Sequence, residues 1–209
     1  MQNQRGNGIV IGVVIDLDDP ENIGRIKVKY PHLEDQISNW ARLVTFMAGP
    51  ERGAFFRPEV NEEVLVAFEL GDARRPYILG GVWNKVDPPP PDGGQPTQNN
   101  WRFIKSRSGH TIKLDDTQGS EKIEIVDKDG TRSVIVDSAG QKIQIISESD
   151  DIEVSAKSGS VKIEALNIEV KASNNMKLEA TTKMMLKSAL IEINSTGPAS
   201  MTGNPIKLN

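Results

Sequence analysis

The hydrophobic pattern divides the chain into two halves that follow different rules. In the first, short runs rich in β-branched residues alternate with turn chemistry. GIVIGVVID, DDPENIG, RIKVKY, ARLVTF, EEVLVAFE and PYILGGVW succeed one another between residues 8 and 83. RIKVKY shows the rule plainly: Ile26, Val28 and Tyr30 share one face of an extended chain, and Arg25, Lys27 and Lys29 share the other. About five such strands without a helical period predict a small antiparallel barrel over residues 1–86. An OB-fold barrel suits both the strand count and the length. VDPPPPDGGQPTQNN, residues 86–100, then breaks the pattern, because clustered prolines force an extended chain and the Gly, Gln and Asn after them have little to bury. Residues 87–104 are read as a linker.

Beyond the linker an apolar-x-apolar unit recurs. The pairs are Ile112 with Leu114, Ile123 with Ile125, Val134 with Val136, Ile143 with Ile145, Ile152 with Val154, Val161 with Ile163, Ile168 with Val170, Met176 with Leu178, Met184 with Leu186 and Ile191 with Ile193; Ile206 with Leu208 follows after a weak copy. First members stand 11, 11, 9, 9, 9, 7, 8, 8 and 7 residues apart, an internal repeat that settles near eight. Lys, Glu, Ser, Asn and Thr fill the spaces, so each unit is a strand of four or five residues with one apolar face, followed by a polar turn.

A unit this short cannot close a coil around its own interior. The calcium-binding nonapeptide helix lacks its Gly-Gly-x-Gly-x-Asp runs here, and the hexapeptide helix has the wrong period. Three copies, each giving one side of a triangle per layer, do close it. The expected fold is therefore all-β: an N-terminal OB-fold barrel followed by an intertwined homotrimeric β-helix, with neck and needle over residues 105–196 and a tip over 197–209. The twenty residues of the ten pairs from Ile112 to Ile193 form the expected trimer core. All ten aromatic residues lie at or before Phe103, so the last 106 residues have none. A narrow aliphatic interior accounts for that, since rings do not fit it.

Composition narrows the function classes. The net charge of −4 is spread evenly, with 10 basic and 12 acidic residues in 1–86 and 15 and 17 in 87–209. Neither half is a basic surface for nucleic acid. There are no cysteines and only two histidines, so a thiolate metal site is excluded and no nucleophile, base and orienting group can be assembled. No cofactor is expected, and no catalysis. The start lacks a signal peptide's basic and apolar regions and no window resembles a membrane span, so assembly in the cytoplasm is expected.

DPENIGRIKVKYP (19–31), WARLVTFMAGPERGAFFRPEVNEEVLVAFELGD (40–72) and RRPYILGGVWN (74–84) resemble the OB domain of contractile injection system spikes, the phage baseplate assembly protein V and VgrG group. SRSGHTIKLDDTQGSEKIEI (106–125) resembles the family's neck, the entry to its trimeric β-helix. The resemblance implies a structural, membrane-piercing homotrimer heading the inner tube of a phage tail-like particle. It also implies a hub protein at the barrel end, expected to be separate because no hub-sized segment precedes residue 10, and no muramidase between barrel and helix. The C-terminus, STGPASMTGNPIKLN, has no His-x-His iron motif, and its tip is expected either to offer Met201, Pro205, Ile206 and Leu208 to a PAAR-type cone protein or to be a frayed end. The alternative is a β-helical tailspike or polysaccharide-binding/degrading protein, which needs longer coils and aromatic sugar platforms.

Individual residues are expected in modest roles. His110, in SGHT, reads as a hydrogen-bonding turn residue. Asp115 and Asp116 read as a solvated turn with Asx-type bonds rather than cation ligands. Arg74 and Arg75 lie on an exposed turn, as contacts or as solvated charge. Phe55 and Phe56 are expected to pack the barrel, the alternative being a loop that docks a partner.

Overall fold

A computed structural model describes residues 8–94, 96–204 and 206. The tip residues Pro205 and Leu208 lie outside the described residues.

Eight strands build the first body: β1 (Val10–Asp16), β2 (Lys27–Tyr30), β3 (Gln36–Ile37), β4 (Arg42–Leu43), β5 (Ala48–Gly49), β6 (Arg52–Gly53), β7 (Glu63–Phe68) and β8 (Pro76–Gly81). Six of them form one sheet in the order β3-β2-β1-β7-β8-β4, and β5 and β6 pair apart as a small hairpin. The sheet curls until Ile26 and Ala41 exchange backbone hydrogen bonds of 2.9 and 2.8 Å, which closes a barrel. Every strand pair in it is antiparallel except β4 with β8.

The period-2 pattern decides what fills this barrel. Val14, Ile26, Val28, Val64, Val66 and Ile78 are fully buried, with Tyr30 and Ala41 beside them and Val10, Leu17, Leu43 and Phe68 at the rim. Each buried aliphatic contributes about 1.5–3 kcal/mol of gross hydrophobic stabilisation. Gly12 is needed where β1 crosses the core, because a Cβ there would stand 2.9 Å from Val28 Cγ2.

The loop between β1 and β2 is held by Asp19, which is only 4% exposed. Its carboxylate accepts the backbone N–H groups of Glu21, Ile23 and Arg25 at 3.1–3.2 Å and the Arg25 guanidinium at 2.7 Å. The Arg25 hydrogen bond, supported by those amides, holds the Asp19 carboxyl well below the usual carboxylate range against the opposing effect of burial.

Phe55 and Phe56 depart from expectation: they are 72% and 58% exposed. The barrel interior is already filled by β-branched residues and Tyr30, so these rings stay outside. Phe55 instead lines a groove of about 540 Å³ with Ile23, Leu43 and Met47.

Five further strands form a separate antiparallel meander: β9 (Trp101–Lys105), β10 (Thr111–Asp115), β11 (Lys122–Val126), β12 (Arg132–Asp137) and β13 (Lys142–Ser147), laid side by side in chain order. β9 starts inside the stretch read as linker. The linker also contributes packing, since Gly93 (φ +84°) lies so close to Trp101 that a Cβ would come within 3.0 Å of the indole. Arg107, in the β9–β10 turn, bonds Glu59 of the first body at 2.6 Å.

Residues 153–209 make up a second unit. Among its described residues no strand pairs within the chain and every residue is exposed. Val154, Ile163, Val170, Leu178 and Leu186, each the second member of an expected core pair, are therefore bare in the single chain, as are their first members Ile152, Val161, Ile168, Met176 and Met184. The reason is geometric: a ladder of strands this short encloses no interior of its own.

Three ion pairs in this unit join residues two apart: Lys162 to Glu164 at 2.7 Å, Glu169 to Lys171 at 2.8 Å, and Lys177 to Glu179. Side chains at i and i+2 meet this closely only when both project from the same side of an extended chain. Charges and aliphatics thus take opposite sides here, although nothing covers either.

Candidate functional site: an uncovered aliphatic sheet face

The β9–β13 meander has an unusual division of environments. Its register aligns Ile104, Ile112, Ile125, Val134 and Ile145 in one row across all five strands. Leu114, Ile123, Val136 and Ile143 form the next row on the same face. A sheet normally turns such a face to a core. Here none of the nine is covered, and exposure runs from 37% at Val136 to 73% at Ile143. The face bends into an open groove of about 570 Å³ lined by Ile104, Ile112, Ile125, Val134, Ile145 and Ile152.

The opposite face carries most of the strands' charges, and its central carboxylates are sheltered. Glu124 and Asp115 are 9% and 6% exposed. Lys113 reaches Glu124 at 2.6 Å, and Lys122 reaches it at 2.9 Å. The Lys113 ammonium also stands 4.1 Å from the centre of the Trp101 ring, an arrangement of cation over aromatic face that adds attraction. Burial pushes the Glu124 carboxyl up, but the two lysines more than offset it and leave the group below its ordinary value. Asp115 behaves likewise: burial raises it, while hydrogen bonds from Thr117 and the Lys113 charge bring it below.

Asp115 makes the Asx-type bond expected of it but is buried rather than solvated. Its carboxylate accepts the Thr117 N–H at 3.0 Å and the Thr117 hydroxyl at 2.5 Å, an Asx turn sealed beneath the charged face. Its neighbour Asp116 pairs with Arg102 at 2.6 Å. His110 sits in a turn, where its N–H donates to Ser106 Oγ at 3.0 Å and its Nδ1 accepts the Lys128 N–H at 3.1 Å. His32 lies in the turn after β2 with its ring edge-on to Tyr30 at 6.1 Å. Arg74 and Arg75 are paired within their own turn, to Asp72 at 2.8 Å and to Glu69 at 3.2 Å. Arg74 holds Asp72 at about 2, below the usual carboxylate range.

The structure places all twenty residues of the expected trimer core at the surface of the single chain, between 37% exposed at Val136 and 75% at Ile193. The first eight, Ile112, Leu114, Ile123, Ile125, Val134, Val136, Ile143 and Ile145, are brought together on one face. The other twelve, Ile152, Val154, Val161, Ile163, Ile168, Val170, Met176, Leu178, Met184, Leu186, Ile191 and Ile193, are not assembled into a core by the chain alone. One copy supplies one side of each layer, and an aliphatic on one side has nothing to pack against. Met201 and Ile206 of the tip are 67% and 44% exposed.

The sheltered Lys113–Glu124–Lys122 cluster was missed by sequence reading; its signal was the regular charge alternation on the strands' polar face in KLD and KIE. Among the described residues no group of three or more Asp, Glu or His is placed to hold a metal ion. Nor is any helix there long and apolar enough to cross a membrane.

Comparison with known proteins agrees with the barrel. Residues 10–83 match the family described as the type VI secretion system/phage-baseplate injector OB domain. The type VI secretion system spike protein VgrG3 of Vibrio cholerae is 30% identical over 111 residues, which cover 49% of this chain and 11% of that protein. The spike protein VgrG1a of Pseudomonas aeruginosa is 28% identical over 116 residues, 50% of this chain and 18% of that protein. The actin cross-linking toxin VgrG1 of Vibrio cholerae is 27% identical over 108 residues, 48% of this chain and 10% of the toxin. The chain thus spans only a small part of the length of these relatives. With β1 to β8 inside the matched range, the barrel of residues 10–83 is similar to that family's OB domain, and the chain resembles the VgrG-like baseplate spikes of contractile injection systems.

Proposed function

We propose that this protein is the membrane-piercing central spike of a contractile injection system and works as a homotrimer. The observation that supports it is the inverted sheet: carboxylates are sheltered on one face of β9–β13 while nine aliphatics stand uncovered on the other. An exposed apolar face of this extent marks an interaction surface. The ladder after it alternates in the same way and finds no cover within one chain. Three copies packed about a common axis cover both regions at once, and each aliphatic so buried contributes about 1.5–3 kcal/mol. Folding of the needle and association are then one event.

The action on this reading is mechanical. Force applied to the barrel end is carried to the tip by layers cross-linked among three chains, with interspersed Lys and Glu keeping the outside soluble. A hub protein binds the barrel end, a PAAR-type cone sits on the tip, and the target membrane is touched only in passage. Catalysis has no part, and a polysaccharide-degradation assay stays blank. Light scattering tests the core of the proposal: a mass near three times 22.9 kDa is expected, and a clean monomer defeats it. Deleting residues 197–209 is expected to abolish co-purification with a cone protein; unchanged capture removes the tip from its binding site.

A further inference from the structure

The polar side of the ladder that starts at Ile152 is ordered in two rows. Between the two members of each apolar pair stand Glu153, Lys162, Glu169, Lys177, Met185 and Glu192, and directly after the second member stand Ser155, Glu164, Lys171, Glu179, Lys187 and Asn194. All are exposed, and the ion pairs inside three of the repeats show both rows on the same side of the chain. Wherever two successive repeats are both charged, the sign reverses, in the first row and in the second. The remaining charges of residues 153–194, Lys157 and Lys183, meet no charge at the equivalent place of an adjacent repeat.

This reversal has no use within one copy. The chain bends at 157–159, 166, 173–174, 181–182 and 189, between successive repeats, and among the described residues no two of these repeats pair with each other. If they folded back as hairpins, as β9 to β13 do, neighbouring repeats would run antiparallel. With the apolar pairs kept level, that gives six like contacts, such as Lys162 with Lys171 and Glu169 with Glu179, and one favourable contact, Lys187 with Glu192. Like charges directly opposite one another destabilise a sheet. Stacking each repeat on its own counterpart in another copy is worse, since every charge then meets itself. Only a parallel stack of each repeat on the following one opposes unlike charges throughout, with six such contacts and no like one.

Parallel neighbours, however, cannot come from one copy here. The chain must return to its starting side between them, which takes a crossover of about a dozen residues, and only four to six residues separate successive apolar pairs. The following repeat in the stack therefore belongs to another copy.

We infer that two rows of ion pairs run from copy to copy along the outside of the needle: Glu153, Lys162, Glu169 and Lys177 in one, Glu164, Lys171, Glu179 and Lys187 in the other, each residue facing the next of a neighbouring copy. They set the direction of stacking and a stagger of one repeat. Rotation between copies permits this, because each bend carries a chain to the adjoining side and one level on, where its neighbour's preceding repeat lies. The inference rests on the trimeric reading, which supplies the number of copies, whereas the charges supply direction and stagger. An exposed pair is weak alone, so the direction is set by all of them together.

The test is disulfide trapping in the full-length protein, which has no cysteine of its own. Glu179→Cys with Lys187→Cys puts thiols on adjacent strands about 4.8 Å apart, within reach of a disulfide. Mild oxidation is expected to turn most of the protein into a covalent trimer on a non-reducing denaturing gel. Lys177→Cys with Lys187→Cys, which an antiparallel stack brings together, and Lys187→Cys alone, which an unstaggered stack brings together, are expected to stay uncrosslinked. Crosslinking of either control, or no covalent trimer from the first pair in a protein that light scattering shows to be trimeric, overturns the ion-pair rows and leaves the trimer standing. A monomeric wild type overturns both. If the first pair disturbs assembly, Glu164→Cys with Lys171→Cys reads the equivalent contact two repeats earlier.

Discussion

The barrel and the β9–β13 meander are built by the same rule and meet opposite fates. In both, aliphatic residues recur at every second position. In the barrel, curvature turns that face inward, so Val14, Val28, Val64 and Ile78 lie at 0% exposure. In the meander the strands run side by side in chain order without closing, so Ile112, Ile125 and Ile145 stay 50–65% exposed. Alternation therefore specifies a face and not what covers it. Closure comes from a long-range contact, here Ile26 with Ala41, that the meander lacks.

The contrast is most exposed to test in the ladder. Ile168→Asp is expected to abolish trimer formation, because assembly would bury three like charges at one level without partners. The barrel's tryptophan fluorescence should stay native, and a variant that remains trimeric by light scattering would remove Ile168 from the interface. Ile78→Ala addresses the closed body. It empties part of a filled core and should cost the barrel about 2–5 kcal/mol in denaturant unfolding while leaving the oligomer's mass unchanged.

Asp19→Asn probes the pinned loop through pH. The folded carboxyl is depressed, so its contribution is present above the unfolded value near 3.9 and is lost as pH falls towards the folded one. Wild type should therefore exceed the variant at neutral pH, and the gap should close on acidification below about pH 4. A gap independent of pH would mean that the loop is not held by the ionised carboxylate. The smallest effect is expected of Glu169→Lys on the charged side of the ladder, within about 0.5 kcal/mol, read as an unchanged dissociation midpoint.

Legibility follows the range of the interactions involved. RIKVKY, EEVLVAFE and the pairs from Ile112 to Ile145 are readable because the pleat is local and repeats every two residues. The two-residue strands Gln36–Ile37, Arg42–Leu43, Ala48–Gly49 and Arg52–Gly53 carry too few positions to show a period. Aromatic character alone argues for Phe55 and Phe56 inside the barrel, but volume decides otherwise: the core is already filled by residues distant in sequence. KLDDTQGS reads as polar and so suggests a solvated turn at Asp115, whereas its burial depends on Thr117 and on Lys113, which is also held by Glu124 of the next strand. In Val154, Ile163, Val170, Leu178 and Leu186 the alternation is just as plain, yet it identifies an apolar side that one chain leaves bare.

Residue order alone dictates where strands fall, which side of each is apolar, and that the last 106 residues hold no ring. These are consequences of covalent order and backbone geometry. Three features come instead from the folded arrangement: the first body closes on itself, β4 runs parallel to β8, and carboxylates are sheltered on the face opposite the bare aliphatics. Each depends on pairing between separate segments of the chain, whose closure entropy and competing partners no local pattern encodes.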